Sequence, residues 1–459
     1  MKKRKIYICS NCGYESVGHY GKCPECNSWN TLVETIVEEK PDAGEKGRTY
    51  AKKTISRLNE VLSTNSDRIV TNINEFNRVM GGGIVKDSVT ILTAKPGAGK
   101  STLLLHVAND LALLGYKVLY ASGEESESQI KARADRILEH IHRNLWVVSD
   151  NNMDNVLNYI EETDPDLIIL DSIQTFTLDE FPNSRAGSPT QTMECAYSLV
   201  KLAKNPSRPR AVFLVGQMTK EDEIAGVRAL EHLVDTVLLI EGESGEELRS
   251  LLTTKNRYGS TGEIGFFNMT EKGMISIDNP SAFFITKRDK GDIVSGNSIT
   301  VVREGTRAII LEVESLVSNS FTPYPSRISE CMNREQLNTL ISILEQRGGI
   351  KLYDKNVVIK TTGGIKLTEQ SSNLAVIMSI VSSVFQVGIP NDRVFVADVG
   401  LTGELKKVPS LESRLKEVDR MGFAKAYVAK GFIKNLKLNN LEIIEMKSLK
   451  DVIDDIFNI

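Results

Sequence analysis

The sequence predicts an α/β protein in three parts, and three observations carry that prediction. Short apolar runs alternate with amphipathic stretches from residue 57 to 275, a Gly-rich stretch joins one such run to a helical segment, and four of the six cysteines fall within the first 26 residues. Strand–helix alternation of this kind implies a parallel sheet covered by helices on both faces. The 459 residues amount to about three domains at ~150 residues each. Hydrophobic residues make up 41% and charged residues 25%, enough to bury large cores. No run approaches the ~18–20 apolar residues of a membrane span, and the basic opening MKKRKIYICSNC lacks an apolar h-region. A cytoplasmic, reducing location without membrane contact is therefore expected, and a disulfide framework is not. The net charge of −4 means that any nucleic-acid binding must use local patches.

The first part, residues 1–30, reads C-x2-C-x10-C-x2-C over Cys9, Cys12, Cys23 and Cys26. Each C-x2-C pair forms a tight knuckle, and two knuckles supply the four thiolates of a closed tetrahedral zinc site. Gly13 and Gly21 suit the turns around the knuckles. His19 lies between the pairs, but four Cys suffice, and a closed site leaves no position for catalysis. So short a segment depends on Zn²⁺ for its folding. Residues 31–56 read as a linker, charged and poor in apolar residues from 38 onward.

The second part, residues 57–275, has expected strands at 88–93, 117–122, 145–149, 167–172, 211–216 and 236–241, with helices at 101–114, 128–140 and 191–204. The first strand runs into Ala94-Lys95-Pro96-Gly97-Ala98-Gly99-Lys100-Ser101, with Thr102 continuing the helix. This is the phosphate-binding loop G-x-x-x-x-G-K-[ST], with Ala94 in place of the first Gly. Small residues let backbone N–H groups wrap a phosphate at a helix N-terminus, Lys100 reaches the β- and γ-phosphates, and the Ser101 hydroxyl serves Mg²⁺. Ala94 adds strain if its position needs positive φ. ATP and Mg²⁺ are thus the expected ligands.

Two carboxylates should complete such a site. Asp171 ends the apolar run 167–170 and would hold Mg²⁺ through water. Glu124, with Glu125 as the alternative, follows the next strand and is placed to orient an attacking water; the pair also reads as a helix-opening acidic couple. Gln217 ends a further strand, either sensing the γ-phosphate or serving as a plain strand-end amide.

These residues resemble the bacterial RadA (Sms) family. The resemblance is carried by the cysteine knuckles, the phosphate loop, Ser122-Gly123-Glu124-Glu125-Ser126, Ile224-Ala225-Gly226, and Leu230-Glu231-His232-Leu233-Val234-Asp235. Lys255-Asn256-Arg257-Tyr258-Gly259 is similar to that family's K-N-R-F-G signature, with Tyr258 for Phe. The resemblance implies a RecA-like P-loop ATPase core, an N-terminal zinc ribbon and a C-terminal Lon-protease-like α/β domain over residues 285–459. It further implies a homo-hexameric ring on single-stranded and branched DNA, a DNA-dependent motor that works with a RecA-type recombinase in branch migration. Lys255 and Arg257, two positions apart, would project from one face of a strand to complete a neighbour's site, to meet DNA phosphates, or simply to face solvent. The loops 176–190 and 218–227 would face DNA, with Arg185 and Lys220 as their basic candidates among several acids.

In the third part, Ser371 occupies the place of a Lon-type nucleophile, but Glu412 stands where the activating Lys belongs, and all five His lie elsewhere. Proteolysis is not expected, and Ser371 reads as a helix cap. Lys351, Lys355, Lys360, Lys366, Arg393, Lys406 and Lys407 form either a DNA-binding scaffold or a solvated face. The leading reading is a DNA-repair ATPase. The alternatives are a Lon-like serine protease, a RecA-type strand-exchange recombinase, and a nucleotide-gated binding module.

Overall fold

A computed structural model of the chain describes residues 3–16, 18, 20–38, 68–217, 227–242, 245–288, 292–431 and 436–458. His19, Lys220, residues 224–226 and most of the expected linker lie outside the described residues. The chain divides into two compact units, Met1–Ser276 and Ile277–Ile459.

The first unit begins with a small antiparallel sheet in which β1 (Lys3–Cys9) pairs with both β2 (Glu15–Ser16) and β3 (Leu32–Glu38). A short antiparallel pair, β4 (Arg68–Ile69) and β5 (Ile84–Val85), brackets α1 (Asn74–Val79). The main layer then alternates strictly: β6 (Val89–Ala94), α2 (Lys100–Leu113), β7 (Val118–Ser122), α3 (Glu127–Ile137), β8 (Leu145–Ser149) and α4 (Met153–Thr163). It continues with β9 (Leu167–Asp171), α5 (Pro189–Ala203), β10 (Ala211–Gln217), α6 (Val227–Leu233) and β11 (Thr236–Glu241). Three antiparallel strands, β12 (Leu248–Asn256), β13 (Ile264–Thr270) and β14 (Gly273–Ser276), extend one edge. Among the described residues this gives a nine-stranded sheet in the order β14-β13-β12-β11-β6-β10-β9-β7-β8, parallel from β11 to β8.

The central strands are apolar on both faces because both faces are covered. Leu92, Ile169 and Phe213 join one core with Leu103, Leu104 and Val107 of α2. Their strand neighbours Ile91, Ile168 and Val212 join the opposite core with Val156 and Ile160 of α4 and Leu199 of α5. The strand period of two thus feeds two cores from one run. The strands expected at 145–149 and 236–241 coincide with β8 and β11. The helix expected to reach residue 140 stops at Ile137, where Leu138 turns to extended backbone (φ −110°).

The second unit, also α/β, opens with α7 (Pro280–Phe283), β15 (Asn297–Glu304), β16 (Arg307–Asn319), β17 (Arg327–Ser329), α8 (Arg334–Ile343) and β18 (Lys355–Thr361). It continues with α9 (Asn373–Phe385), β19 (Arg393–Val396), the small pair β20 (Asp398–Val399) and β21 (Leu405–Lys406), and α10 (Leu411–Arg420). It closes with β22 (Lys425–Ala429), β23 (Glu442–Met446) and α11 (Leu449–Phe457). Its seven-stranded sheet runs β17-β18-β16-β15-β19-β22-β23. Helix α9 is buried at every position from Asn373 to Ser382, which explains why it carries no polar stripe. Among the described residues no helix is long and apolar enough to cross a membrane.

Candidate functional site

The phosphate loop leaves β6 at Ala94, which is still a strand residue with extended backbone, so Ala in place of Gly adds no strain there. The left-handed positions fall later, at Gly97 (φ 78°) and Gly99 (φ 105°), the residue that caps α2. A Cβ on Gly99 would lie 2.7 Å from Met269 Cε, so both space and φ demand glycine. Lys95, Pro96, Gly97, Ala98 and Gly99 form the turn, and Lys100, Ser101 and Thr102 open the helix with their N–H groups free of intrahelical partners. Lys100 Nζ folds back to donate to Ala94 O at 3.1 Å. Burial pulls its ammonium below the usual lysine value, while Asp171 and Glu124 pull the other way.

Strand order decides which side chains meet this loop. β10 lies between β6 and β9, so Ala94, Gln217 and Asp171 line up on one edge of the sheet, with Ser122 of β7 beside Asp171. Ser101 Oγ donates to Asp171 Oδ2 at 2.6 Å. The same oxygen accepts the Tyr120 hydroxyl at 2.5 Å. Tyr120 is 1% exposed, and burial together with Asp171 drives its phenol well above the ordinary value, keeping it a donor. Sequence reasoning missed Tyr120; a hydroxyl inside the otherwise apolar strand 118–121 was the available signal.

Glu124 lies past β7, accepting hydrogen bonds from Ser172 Oγ and from Gln217 Nε2, the latter at 2.9 Å. Glu125 turns away into an ion pair with Arg133 of α3. The helix-opening role belongs to Ser126, whose capping box with Gln129 starts α3. Of the acidic pair, Glu124 alone joins the edge where Ser101, Asp171 and Gln217 meet. Three hydroxyls, two carboxylates, an ammonium and a row of helix-end N–H groups suit a magnesium–triphosphate and a water to be activated.

Lys255 ends β12 with Asn256, and Arg257 lies just beyond it. Within the chain neither projects freely as expected. Lys255 Nζ donates to Glu231 O and Val234 O at the end of α6, and Arg257 pairs with buried Asp235 at 3.1 Å while reaching His232 O. Cations at a helix C-terminus satisfy its last carbonyls. Arg185 is exposed on the segment between β9 and α5.

In the N-terminal sheet the four Sγ atoms lie within 4.8 Å of one another, with Cys9–Cys26 at 3.6 Å and Cys12–Cys23 at 3.5 Å. Tetrahedral Zn–S bonds of ~2.3 Å require S···S separations of about 3.8 Å, so the donor set fits zinc. The hydroxyl and backbone of Ser28 draw the Cys26 thiol down to about 5. The knuckles are equivalent: Gly13 N reaches Cys9 O, and Asn27 N reaches Cys23 O. The second turn therefore uses Asn27 (φ 57°), not Gly21 as the sequence suggested, because Asn tolerates left-handed backbone.

In the second unit, Ser371 does not cap α9. It sits in the 3-10 turn Gln370–Ser372, buried, with its hydroxyl on Glu369 Oε2 (3.2 Å) and Val301 O. Glu412 is exposed on α10. The α10 side chain that reaches this interior is Arg414, fully buried, bonded to Glu369 (2.6 Å), Val301 O and Pro409 O. A guanidinium stays protonated and is no general base. The basic residues of this unit are dispersed: Lys355 and Lys360 on β18 are separated from Arg393 on β19 by β16 and β15, and Lys360 pairs with Glu314.

Comparison with known proteins agrees with this geometry. Residues 55–223 match the family described as AAA domain, and residues 7–34 match the rubredoxin metal binding domain. The DNA repair protein RadA of Bacillus subtilis is 40% identical over 93% of each chain. Those of Listeria monocytogenes and Pseudomonas aeruginosa are both 37% identical, over 98% and 99% of each chain. An ATPase domain with a RecA-like sheet, a four-cysteine ribbon and full-length similarity to these proteins converge on one assignment: the chain belongs to the RadA family.

Proposed function

We propose that this chain is a DNA-dependent ATPase motor of recombinational repair, acting as a homo-hexameric ring on single-stranded and branched DNA beside a RecA-type recombinase. The observation that carries the catalytic reading is the joining of Glu124 to Gln217 next to the Ser101–Asp171 pair. The loop 95–99 and the N–H groups of Lys100, Ser101 and Thr102 bind the phosphates. Lys100 gives up its bond to Ala94 O and neutralises charge on the β- and γ-oxygens. Ser101 and Asp171 would hold Mg²⁺, which screens phosphate charge. Glu124, oriented by Ser172 and Gln217, accepts the proton of the water whose oxygen bonds to the γ-phosphorus as the bond from that phosphorus to ADP breaks.

Gln217 heads the segment 218–226, so a change at Glu124 on hydrolysis reaches that segment through one hydrogen bond. Arg257, half-exposed, is the member of its pair suited to a neighbouring subunit's phosphates, whereas Lys255 is committed to two carbonyls. Arg185 and Lys220 are the proposed DNA contacts of the two loops. The zinc ribbon is structural. The second unit acts as a scaffold without proteolysis: the carboxylate that Ser371 meets, Glu369, is itself bound by the guanidinium of Arg414, and Glu412 points to solvent. The test is ATP turnover with and without single-stranded DNA, in the unaltered chain and in Lys100→Ala. Turnover stimulated by DNA and abolished by the substitution is expected; turnover indifferent to both would overturn the reading.

A further inference from the structure

The ribbon leaves its largest ring in water. Its own small core is made by Cys9, Cys23 and Leu32, with Tyr7 and Tyr14 packed against it. Trp29 takes no part in that core and is 71% exposed; Tyr20 is 51% exposed. An aromatic of this size usually dominates a core or an interface. Trp29 is nonetheless held in place. It pairs across an antiparallel bridge with Lys22, whose ammonium stands 5.8 Å from the ring centroid.

Two further observations identify what the ring faces. The first is charge. Through the end of β3, residues 1–38 carry Lys2, Lys3, Arg4, Lys5 and Lys22 against Glu15, Glu25, Glu34 and Glu38, a small positive balance in a chain whose net charge is −4. The ribbon as a whole does not repel a polyanion, and Lys22 places a cation complementary to phosphate beside the ring. The second is position. Thr190 Oγ1 donates to Cys12 O at 2.7 Å, and Gly13 packs so closely that a Cβ there would stand 2.9 Å from Ser184 Oγ. The first knuckle thus rests on the segment after β9, which carries exposed Arg185.

We infer that Trp29, with Lys22 and Tyr20, is a stacking platform for the bases of single-stranded DNA. An exposed, laterally fixed aromatic beside a cation is the chemistry that binds unpaired bases without reading their sequence: the ring stacks and the ammonium meets the backbone. The first knuckle's contact with the Arg185 segment ties the ribbon to the loop proposed above to face DNA. The inference rests on the DNA-motor reading above.

The test uses the full-length chain and a thirty-nucleotide oligo-dT. The chain has two Trp, so Trp146→Phe leaves Trp29 as the only indole. Its emission should be quenched in step with binding followed by oligonucleotide anisotropy, and an abasic oligomer of equal length should bind without quenching. In the chain retaining Trp146, Trp29→Ala should weaken oligo-dT binding ~10-fold and Trp29→Phe by much less, with zinc content unchanged at one per chain. Oligo-dT binding without quenching, equal quenching by heparin, or unaltered affinity of Trp29→Ala would overturn the platform while leaving the motor reading intact. Failure of the unaltered chain to bind oligo-dT would overturn the motor reading, and the platform with it.

Discussion

Gln217 donates its side-chain amide to Glu124 across 2.9 Å, joining the ends of two strands, β10 and β7, that are not neighbours in the sheet. The strand between them, β9, contributes Asp171 at its end, and Ser172 just past it also donates to Glu124. Three strand ends are therefore tied at one carboxylate, beside the loop that receives phosphates.

Glu124→Gln should retain ATP binding and lose turnover by about 10²–10⁴-fold, the usual contribution of a positioned general base. Gln217→Ala should instead lower the ratio of DNA-stimulated to basal turnover, because it cuts the link between Glu124 and the following segment. Steady-state phosphate release measures both. Full turnover by Glu124→Gln would assign the base elsewhere.

Tyr120→Phe removes a hydroxyl that orients Asp171 and changes nothing that meets phosphate. Outer-sphere partners of this kind are worth about 10–100-fold in metal affinity. The magnesium concentration for half-maximal turnover should rise by that factor, while affinity for metal-free nucleotide stays the same. An unshifted magnesium dependence would reduce Tyr120 to a packing role.

Much of this site was legible in the sequence. The phosphate loop and the cysteine knuckles announce themselves because their chemistry needs particular residues at particular spacings. Asp171 was legible because it interrupts an apolar strand. Glu124 was not separable from Glu125 by adjacency alone; Arg133, one helix away, takes Glu125 out of the site. Tyr120 and Asn27 were missed for different reasons. Tyr120 is an ordinary strand residue until β9 places Asp171 beside it, and Asn27 is an ordinary turn residue until its φ of 57° is known. Lys255 and Arg257 were read as outward-facing because strand period specifies a face but not the helix end that waits on it. Arg414 carried a signal that was overlooked: it shares the apolar stripe of α10 with Leu411, Leu415 and Val418.

Lys100 makes ATP binding sensitive to pH. Burial lowers its pKa in the free protein, and phosphate charge raises it in the complex. The complex therefore binds more protons than the free protein between those two values. Affinity is full below the depressed free value and falls as pH rises past it. Calorimetry at alkaline pH in buffers of different ionisation enthalpy should detect proton uptake on binding. Lys100→Arg, whose charge does not titrate there, should abolish the uptake.

Arg414 is fully buried in the second unit, and its partner Glu369 is only partly covered, with a third of its side chain exposed. Removing one member of a buried pair costs about 3–5 kcal/mol, and the exposure of Glu369 places this case at the low end. Arg414→Met keeps the volume and strands the carboxylate, so calorimetric unfolding of the second unit should fall by about 6–12 °C, at 2–4 °C per kcal/mol for a unit of this size. Arg414→Met with Glu369→Gln removes the stranded charge and should recover part of that loss, as ion pairs replaced by neutral side chains often do. In the single variant Ser371 keeps its direct bond to the Glu369 carboxylate, now freed of the guanidinium, with no imidazole or amine between them. Casein cleavage should accordingly be absent from the unaltered chain and from both variants. An unshifted transition in Arg414→Met would show that the pair contributes nothing to stability, and cleavage gained on removing the guanidinium would show that Arg414 suppresses a competent nucleophile.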